Sequence, residues 1–412
     1  MYIKKVRITP PIPDVLILGA GPAALFLAAA CQESGLEVQG IAPDFNALWA
    51  PRYGAWRDEL GAIPAGILDN ISAHTWAGAT VFALERHDLI RPYIALSTPR
   101  LQSWLTARCN GIRWTKGSAA SIAHSPLVST VTLRSGATLS GRIIVDATGG
   151  GSLLERGEAP SAWQTAYGLE ITVPGGHPWP LDRIELMDFR GPGPTPSFLY
   201  AQPLDAERVF VEETALIGSP GLSIPQLQQR LLARLQSMGI TPEHTDHEER
   251  CRIRMLGPAP VLGQRTVGFG SAAGMVHPAT GYQLARLPAA AEAMAQALVD
   301  GLSVGPSEAS AAAWSALWPA PRLRQWALYR FGAQILRDLN AEDTRRFFDA
   351  FFRIDPALWS GFLSATLPPA RLAAAMAAVF SAASLPTRFH LIAAGASGSG
   401  LDLLLNLSRP SL

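Results

Sequence analysis

The segment Asp14-Val-Leu-Ile-Leu-Gly-Ala-Gly-Pro-Ala-Ala24 constrains this chain more than any other. A short apolar run breaks into Gly19-x-Gly21-x-x-Ala24 and continues as a helix-like stretch from Leu25 to Gln32. That is the pattern of a strand, a tight turn and a helix whose free N–H groups and partial positive charge face a pyrophosphate. Gly19 permits the turn, Gly21 lets the backbone approach the phosphates, and the small side chain of Ala24 lets helix and strand pack closely. The motif points to a dinucleotide and leaves FAD and NAD(P) both open.

With 412 residues the chain has room for two or three subdomains. Only 16% of residues are charged and the mean hydropathy is +0.15, which is apolar for an enzyme. A formal charge of +1 argues against nucleic acid as a partner. Cys31, Cys109 and Cys251 have no paired or metal-like spacing, which suits a reducing compartment without disulfides. Residues 1–13 read as a tail; they carry Lys4, Lys5 and Arg7 but no apolar core of a secretory signal. The longest apolar run, Leu372 to Ala383, is shorter than the roughly 18 residues of a spanning helix. The Ala-, Leu-, Phe- and Trp-rich last third suits a buried helical bundle or a face resting on a membrane surface.

The fold class expected is α/β with an added β-sheet: a Rossmann-like nucleotide domain from 14–160 and 250–300, an antiparallel-sheet substrate domain at 161–249, and a helical region at 301–412. Glu37–Ile41 reads as the second strand of the nucleotide unit. An acid that binds ribose is expected about 20 residues past the glycines; that place falls near Ala42, and the nearest acid is Asp44. Arg100 opens an amphipathic helix, residues 128–147 read as a hairpin returning to the nucleotide sheet, and Trp163 to Leu216 shows β-like runs between Pro/Gly turns. A helix is expected from Ser223 to Met238, a strand at Thr266 to Gly270, and helical runs at 309–338, 341–353 and 369–384.

A third glycine-rich block, Gly268 to Gly281, contains Gly270, Ser271, Pro278, Thr280 and Gly281 and precedes an expected helix from Tyr282 to Leu298. Three separated glycine loops, including the one around Gly149, suit FAD better than NAD, because FAD is long and must be touched at several points.

Tyr53-Gly-Ala-Trp-Arg-Asp-Glu59, Leu186-Met-Asp-Phe-Arg190, Phe210-Val-Glu-Glu-Thr214, Gly274-Met-Val-His-Pro-Ala-Thr-Gly-Tyr282, Arg346-Phe-Phe-Asp-Ala-Phe-Phe352 and the segment from Leu358 to Leu363 occur in that order. Together they make the chain resemble the flavoprotein lycopene cyclases of the cyanobacterial and plant type, from about residue 14 to residue 385. The resemblance implies cyclisation of the acyclic ends of lycopene, or of another carotenoid with such an end group, to β-type rings. It also implies a reduced FAD that stabilises a cation, NAD(P)H as its reductant, and peripheral attachment to a membrane surface on the cytoplasmic side. Two positions depart from the wider flavoprotein pattern: Ala24 replaces the third glycine, and Ser271 stands where flavin hydroxylases usually carry Asp.

Ring closure on a polyene needs a proton delivered to the terminal double bond, attack by a neighbouring double bond, and loss of a second proton. The product is an isomer. The site must hold a carboxylic acid neutral in an apolar pocket and exclude water. On a strand through Arg208–Thr214, Phe210, Glu212 and Thr214 share one face and Glu213 points the other way. The resemblance favours Glu212 as the acid. Asp188 lies in an apolar strand and is either paired structurally or aimed at the site; Arg100 is placed as a pyrophosphate contact; His277 reads as a capping residue rather than a base. No His/Cys cluster has metal spacing and no Ser sits in a nucleophile elbow. An ε-type cyclase, a flavin monooxygenase or geranylgeranyl-reductase-like oxidoreductase, and a non-catalytic carotenoid-binding flavoprotein remain as alternatives.

Overall fold

The computed structural model describes residues 11–157, 161–191 and 193–395; Lys4, Lys5 and Arg7 lie outside them. Five parallel strands form the nucleotide sheet in the order Val267–Gly268, Ile143–Asp146, Val15–Leu18, Val38–Ala42, Arg113–Lys116. The central strand is apolar throughout because both its faces are covered. Val15 and Ile17 pack on the helices Pro22–Glu33 and Leu287–Leu302. Leu16 and Leu18 pack on Val131 and Leu133 of a separate three-stranded antiparallel ribbon, Ala119–His124, Ser129–Leu133 and Thr138–Gly141. The expected 128–147 hairpin therefore divides: its turn belongs to the ribbon, and only Ile143–Asp146 joins the nucleotide sheet.

The second sheet has seven strands, in the order His244–Leu256, Ala162–Thr172, Arg208–Gly218, Phe198–Pro203, Arg183–Asp188, Gly78–Phe82, Arg86–Leu89. It is antiparallel except where Arg183–Asp188 runs parallel to Gly78–Phe82. It is wider than the 161–249 segment, taking Gly78–Leu89 at one edge and His244–Leu256 at the other. The cause at the second edge is visible in the chain. From His247 to Arg254 every second residue is exposed and its neighbours face inward, the period of a strand, although charges obscure it.

Helix Ile224–Ser237 closes the back of this sheet, with Leu227, Leu231 and Leu235 against Leu199, Val209 and Val211. It begins with a reciprocal Ser223–Gln226 capping box. The front faces a cavity roofed by helices Ala320–Asp338, Ala341–Arg353 and Pro356–Leu363; the C-terminal region also holds Pro306–Leu317, Pro369–Ala382 and Leu385–Gly395. The expected run 309–338 breaks at Trp318-Pro319, since proline in a helix interior removes a bond and clashes with the preceding turn. The same rule moves the helix expected at Tyr282. Pro288 is tolerated only in a first turn, so the helix starts at Leu287, and Leu284–Arg286 forms a short 3₁₀ turn before it. Among the described residues no helix is long and apolar enough to cross a membrane.

Candidate functional site

One continuous cavity of about 970 Å³ runs from the nucleotide sheet to the front of the large sheet. Its first end is built from the loops that follow parallel strands. Gly19 has φ +108°, and a Cβ there would lie 2.7 Å from the Ala147 carbonyl oxygen, so only glycine fits. Gly21 opens directly on the cavity at the start of helix Pro22–Glu33, with nothing within 4 Å of where its Cβ would be. Ala24 is fully buried inside that helix. Thr148, Gly149 and Gly151 line the same end. Asp146 organises their loop by accepting from the Thr148 N–H and hydroxyl and from the Leu153 N–H, at 2.7–3.0 Å.

Gly270 has φ +66°, and a Cβ there would meet Ala23 Cβ at 2.6 Å. This contact fixes the third loop against the first. Ser271 lines the cavity and donates to Gln283 Oε1 at 2.6 Å. Thr280 and Gly281 line it as well, whereas Pro278 is buried beneath their turn. His277 is the brace of that turn. Its Nδ1 accepts from the N–H groups of Ala279 (3.1 Å) and Thr280 (3.2 Å), and its Nε2 donates to the Phe362 carbonyl at 3.2 Å. Burial pushes its pKa down to about 3, so it stands as a neutral cap.

Two residues placed at the nucleotide from sequence do not reach the cavity. Asp44 is exposed and its carboxylate accepts from the Asn46 N–H at 3.0 Å, closing its own turn. Arg100 is exposed on helix Thr98–Arg108 and donates to the Ser72 carbonyl at 3.0 Å. The arginines that do line the cavity are Arg52 and Arg134.

At the other end the strand Arg208–Gly218 presents Phe210, Glu212 and Thr214 to the cavity. Glu213 points behind the sheet, where it is 1% exposed. It takes a bidentate bond from Arg234 (2.9 and 3.1 Å) and a 2.6 Å bond from the Ser197 hydroxyl. Glu212 accepts from the Thr214 hydroxyl at 2.6 Å. Its carboxyl opens on the cavity. Burial pushes its pKa up to about 7, opposed by the Thr214 bond and reinforced by Glu249. Around it stand Tyr93, Tyr200, Phe210 and Tyr282, with Phe347, Phe348 and Phe351 from helix Ala341–Arg353. The Tyr200 hydroxyl donates to that of Tyr93 at 3.2 Å and accepts from Gln202.

Asp188 is buried but turned away from the cavity. It is held by the Arg190 backbone and guanidinium at 2.8–2.9 Å. The register shifts between Glu185 and Asp188, and Leu186 and Met187 line the cavity there. Asp188 is thus a structural ion-pair partner.

The family model described as lycopene cyclase protein matches residues 14–389. A lycopene beta cyclase from Arabidopsis thaliana is 38% identical over 408 residues, covering 93% of this chain and 81% of that protein. The chain belongs to the lycopene cyclase family. A relative named capsanthin/capsorubin synthase, from Capsicum annuum, is 35% identical over 401 residues, covering 92% of this chain and 80% of that protein.

Solved structures share the fold at much lower identity. A geranylgeranyl bacteriochlorophyll reductase-like protein from Thermoplasma acidophilum superposes with a TM-score of 0.61 at 14% identity, covering 96% of this chain and 98% of that one. An anhydrotetracycline hydroxylase from Streptomyces rimosus gives 0.59 at 16% identity, over 86% and 76%. This lycopene cyclase family member therefore shares its fold with these reductase-like and hydroxylase structures. The family motifs do not single out Glu249 and Arg52, which sit at the cavity end beside Glu212. The signal for Glu249 was its place on the inward register of a strand whose other face, Glu248, Arg250, Arg252 and Arg254, is charged.

Proposed function

We propose that this protein closes the acyclic end groups of lycopene to β-type rings, in carotenoid biosynthesis, with no net redox change. The observation that carries the reading is Glu212: a carboxyl with a pKa pushed up to about 7, set in an aromatic cavity that continues into a nucleotide cradle. A substrate with no hydrogen-bonding groups is bound by apolar surface alone, and the Phe-rich helix Ala341–Arg353 supplies it. Glu212 delivers the proton to the terminal double bond. The aromatic faces of Phe210, Tyr200 and Tyr93 suit the cation that results, and substrate filling this apolar lining would displace water from it.

The residues at the other end fit FAD. Gly19 and Gly21 clear the helix N-terminus for a pyrophosphate. Gly149 and Thr148 line the middle, and Ser271 with Thr280 and Gly281 form the far wall. Gly270 keeps that wall close to Ala23. Reduced FAD would supply a negative charge beside the cation, and NAD(P)H is the reductant proposed for it.

A membrane surface is the proposed source of substrate. What supports it is the helix Leu385–Gly395, where Leu385, Phe389 and Ile392 are 67%, 69% and 55% exposed at the spacing of one helical face.

The fold's likeness to a reductase and a hydroxylase favours one rival, a redox enzyme. The discriminating test is stoichiometry. Anaerobic protein with prereduced FAD and lycopene in liposomes should form rings over many turnovers while consuming no further NAD(P)H. Consumption of one reductant per product would replace the cyclase reading with the redox one.

A further inference from the structure

The cavity carries a second carboxylate. Glu249 lies on the edge strand His244–Leu256 and Glu212 on Arg208–Gly218, and both stand opposite Gly168 of the strand between them. Residues in one such row point to the same side of a sheet, and both carboxyls line the cavity. Their Cα atoms are two strand spacings apart, roughly 10 Å. Gly168 puts no side chain between them. A Cβ there would lie 2.6 Å from Phe210 Cζ, so the ring of Phe210 leans into the notch. Tyr200, opposite Glu212 on the next strand, extends the row. An end group lying over the Phe210 ring has one carboxyl on either side.

The two carboxyls differ in their partners. Glu212 is bonded to the Thr214 hydroxyl. Glu249 accepts from the Arg52 backbone N–H at 3.3 Å; burial pushes its pKa up, and that bond and the charge of Arg52 oppose the rise. Arg52 is itself fixed by an ion pair with Glu170 and by lying 5.0 Å over the Phe210 ring. The other titratable groups that act on this pair or on Arg52 are Tyr53, Tyr200, His247 and Cys251; the only fixed positive charge among them is Arg52. Two carboxyls in one apolar-lined cavity do not ionise equally, and the one that takes the Arg52 backbone N–H and lies in that residue's field is favoured to carry the charge.

We propose that Glu249 is the proton acceptor of ring closure, positioned by Arg52 and paired with Glu212 as donor; this rests on the cyclase reading above. Glu212 gives its proton to the CH carbon of the terminal double bond, whose π electrons form the new C–H bond and leave a tertiary cation on the carbon that bears the two methyls. The neighbouring double bond attacks, forming the ring C–C bond and moving the charge into the ring. A ring C–H bond then breaks, its electrons form the ring double bond, and the proton passes to the Glu249 carboxylate. Glu249 releases it to solvent and Glu212 regains one between turnovers, so substrate and product differ by no atoms and no electrons.

The test compares Glu249→Gln, Glu249→Asp and Arg52→Gln with wild type and Glu212→Gln, reading FAD content, turnover of lycopene in liposomes and the pH profile of kcat/KM. The wild-type profile should be a bell, with the acid limb set by Glu249 and the alkaline limb by Glu212. Glu249→Gln should keep its FAD, lose about 10²-fold or more in turnover and lose the acid limb. Glu249→Asp should restore the limb and part of the rate. Arg52→Gln should move the acid limb to higher pH, because Glu249 then loses the charge that favours ionisation. Turnover near wild type with an unmoved acid limb in Glu249→Gln overturns the proposal, leaving Glu249 as an anchor for Arg52. If that variant does not load FAD, an unmoved acid limb in Arg52→Gln overturns it instead. Wild-type protein that leaves lycopene unchanged overturns the cyclase reading itself, whereas an inactive Glu212→Gln beside an active Glu249→Gln overturns this proposal alone.

Discussion

Replacing Glu212 by Gln keeps the size of the side chain and removes the transferable proton. Cyclisation should fall by about 10²–10⁴-fold or more while FAD content stays unchanged, since Glu212 lies on a strand of the large sheet rather than on a glycine loop. Glu213→Gln should act through stability. It leaves Arg234 with a broken buried bidentate pair, a loss of about 3–5 kcal/mol, read as a lower Tm. The pH dependence has a definite sign. Glu212 in the folded chain has a pKa raised to about 7 from an ordinary 4.5, so its contribution to stability is full below pH 4.5 and is lost as pH rises through 7. Wild type should therefore lose stability relative to Glu212→Gln as pH rises from about 4.5 to 7 and level off above that, by about 3 kcal/mol in total; urea titrations at several pH values check this. The opposite faces of Glu212 and Glu213 were legible in the sequence because a regular strand allows no other arrangement. Asp188 was not, because a register irregularity at Glu185–Asp188 decides where its carboxyl points. Asp44 and Arg100 were misplaced for a related reason: each finds a nearer partner, in its own turn or in the Ser72 carbonyl.

At the scale of elements, the first strand, turn and helix follow from their residues, since an apolar run, a positive-φ glycine and a proline in the first helical turn agree on one geometry. Gly19→Ala should abolish FAD binding: its Cβ would press on the Ala147 carbonyl and its φ of +108° is foreign to L side chains. Flavin absorbance after reconstitution reads this directly. Proline also explains the two helix limits that periodicity alone misjudged, at Trp318-Pro319 and at Leu287-Pro288. The edge strand His244–Leu256 was hidden because charges dominate its outward face and its inward face mixes His247, Glu249, Cys251 and Ile253. A partly polar inner face belongs to a strand that borders a site rather than a core.

At the scale of the whole molecule, one cavity joins a nucleotide cradle to an aromatic chamber, and one helix carries an exposed apolar face that we propose meets lipid. Replacing Leu385, Phe389 and Ile392 together by Ser should shift the protein from the liposome fraction to the soluble fraction in flotation, with FAD content unchanged; an unaltered distribution would remove that helix from the account. That the chain builds two sheets, one after glycine loops and one from β-runs, was legible in the sequence, while their joint cavity depends on pairings across more than a hundred residues that no local pattern carries. The central claim is that Glu212 protonates a polyene end and that the product is an isomer. Its most direct test is anaerobic turnover of lycopene in D₂O with prereduced FAD, followed by mass spectrometry. The account predicts β-ring products that carry one deuteron for each ring closed, and none from Glu212→Gln. Ring products without deuterium, or products whose mass shows hydrogen or oxygen gained or lost, would contradict it.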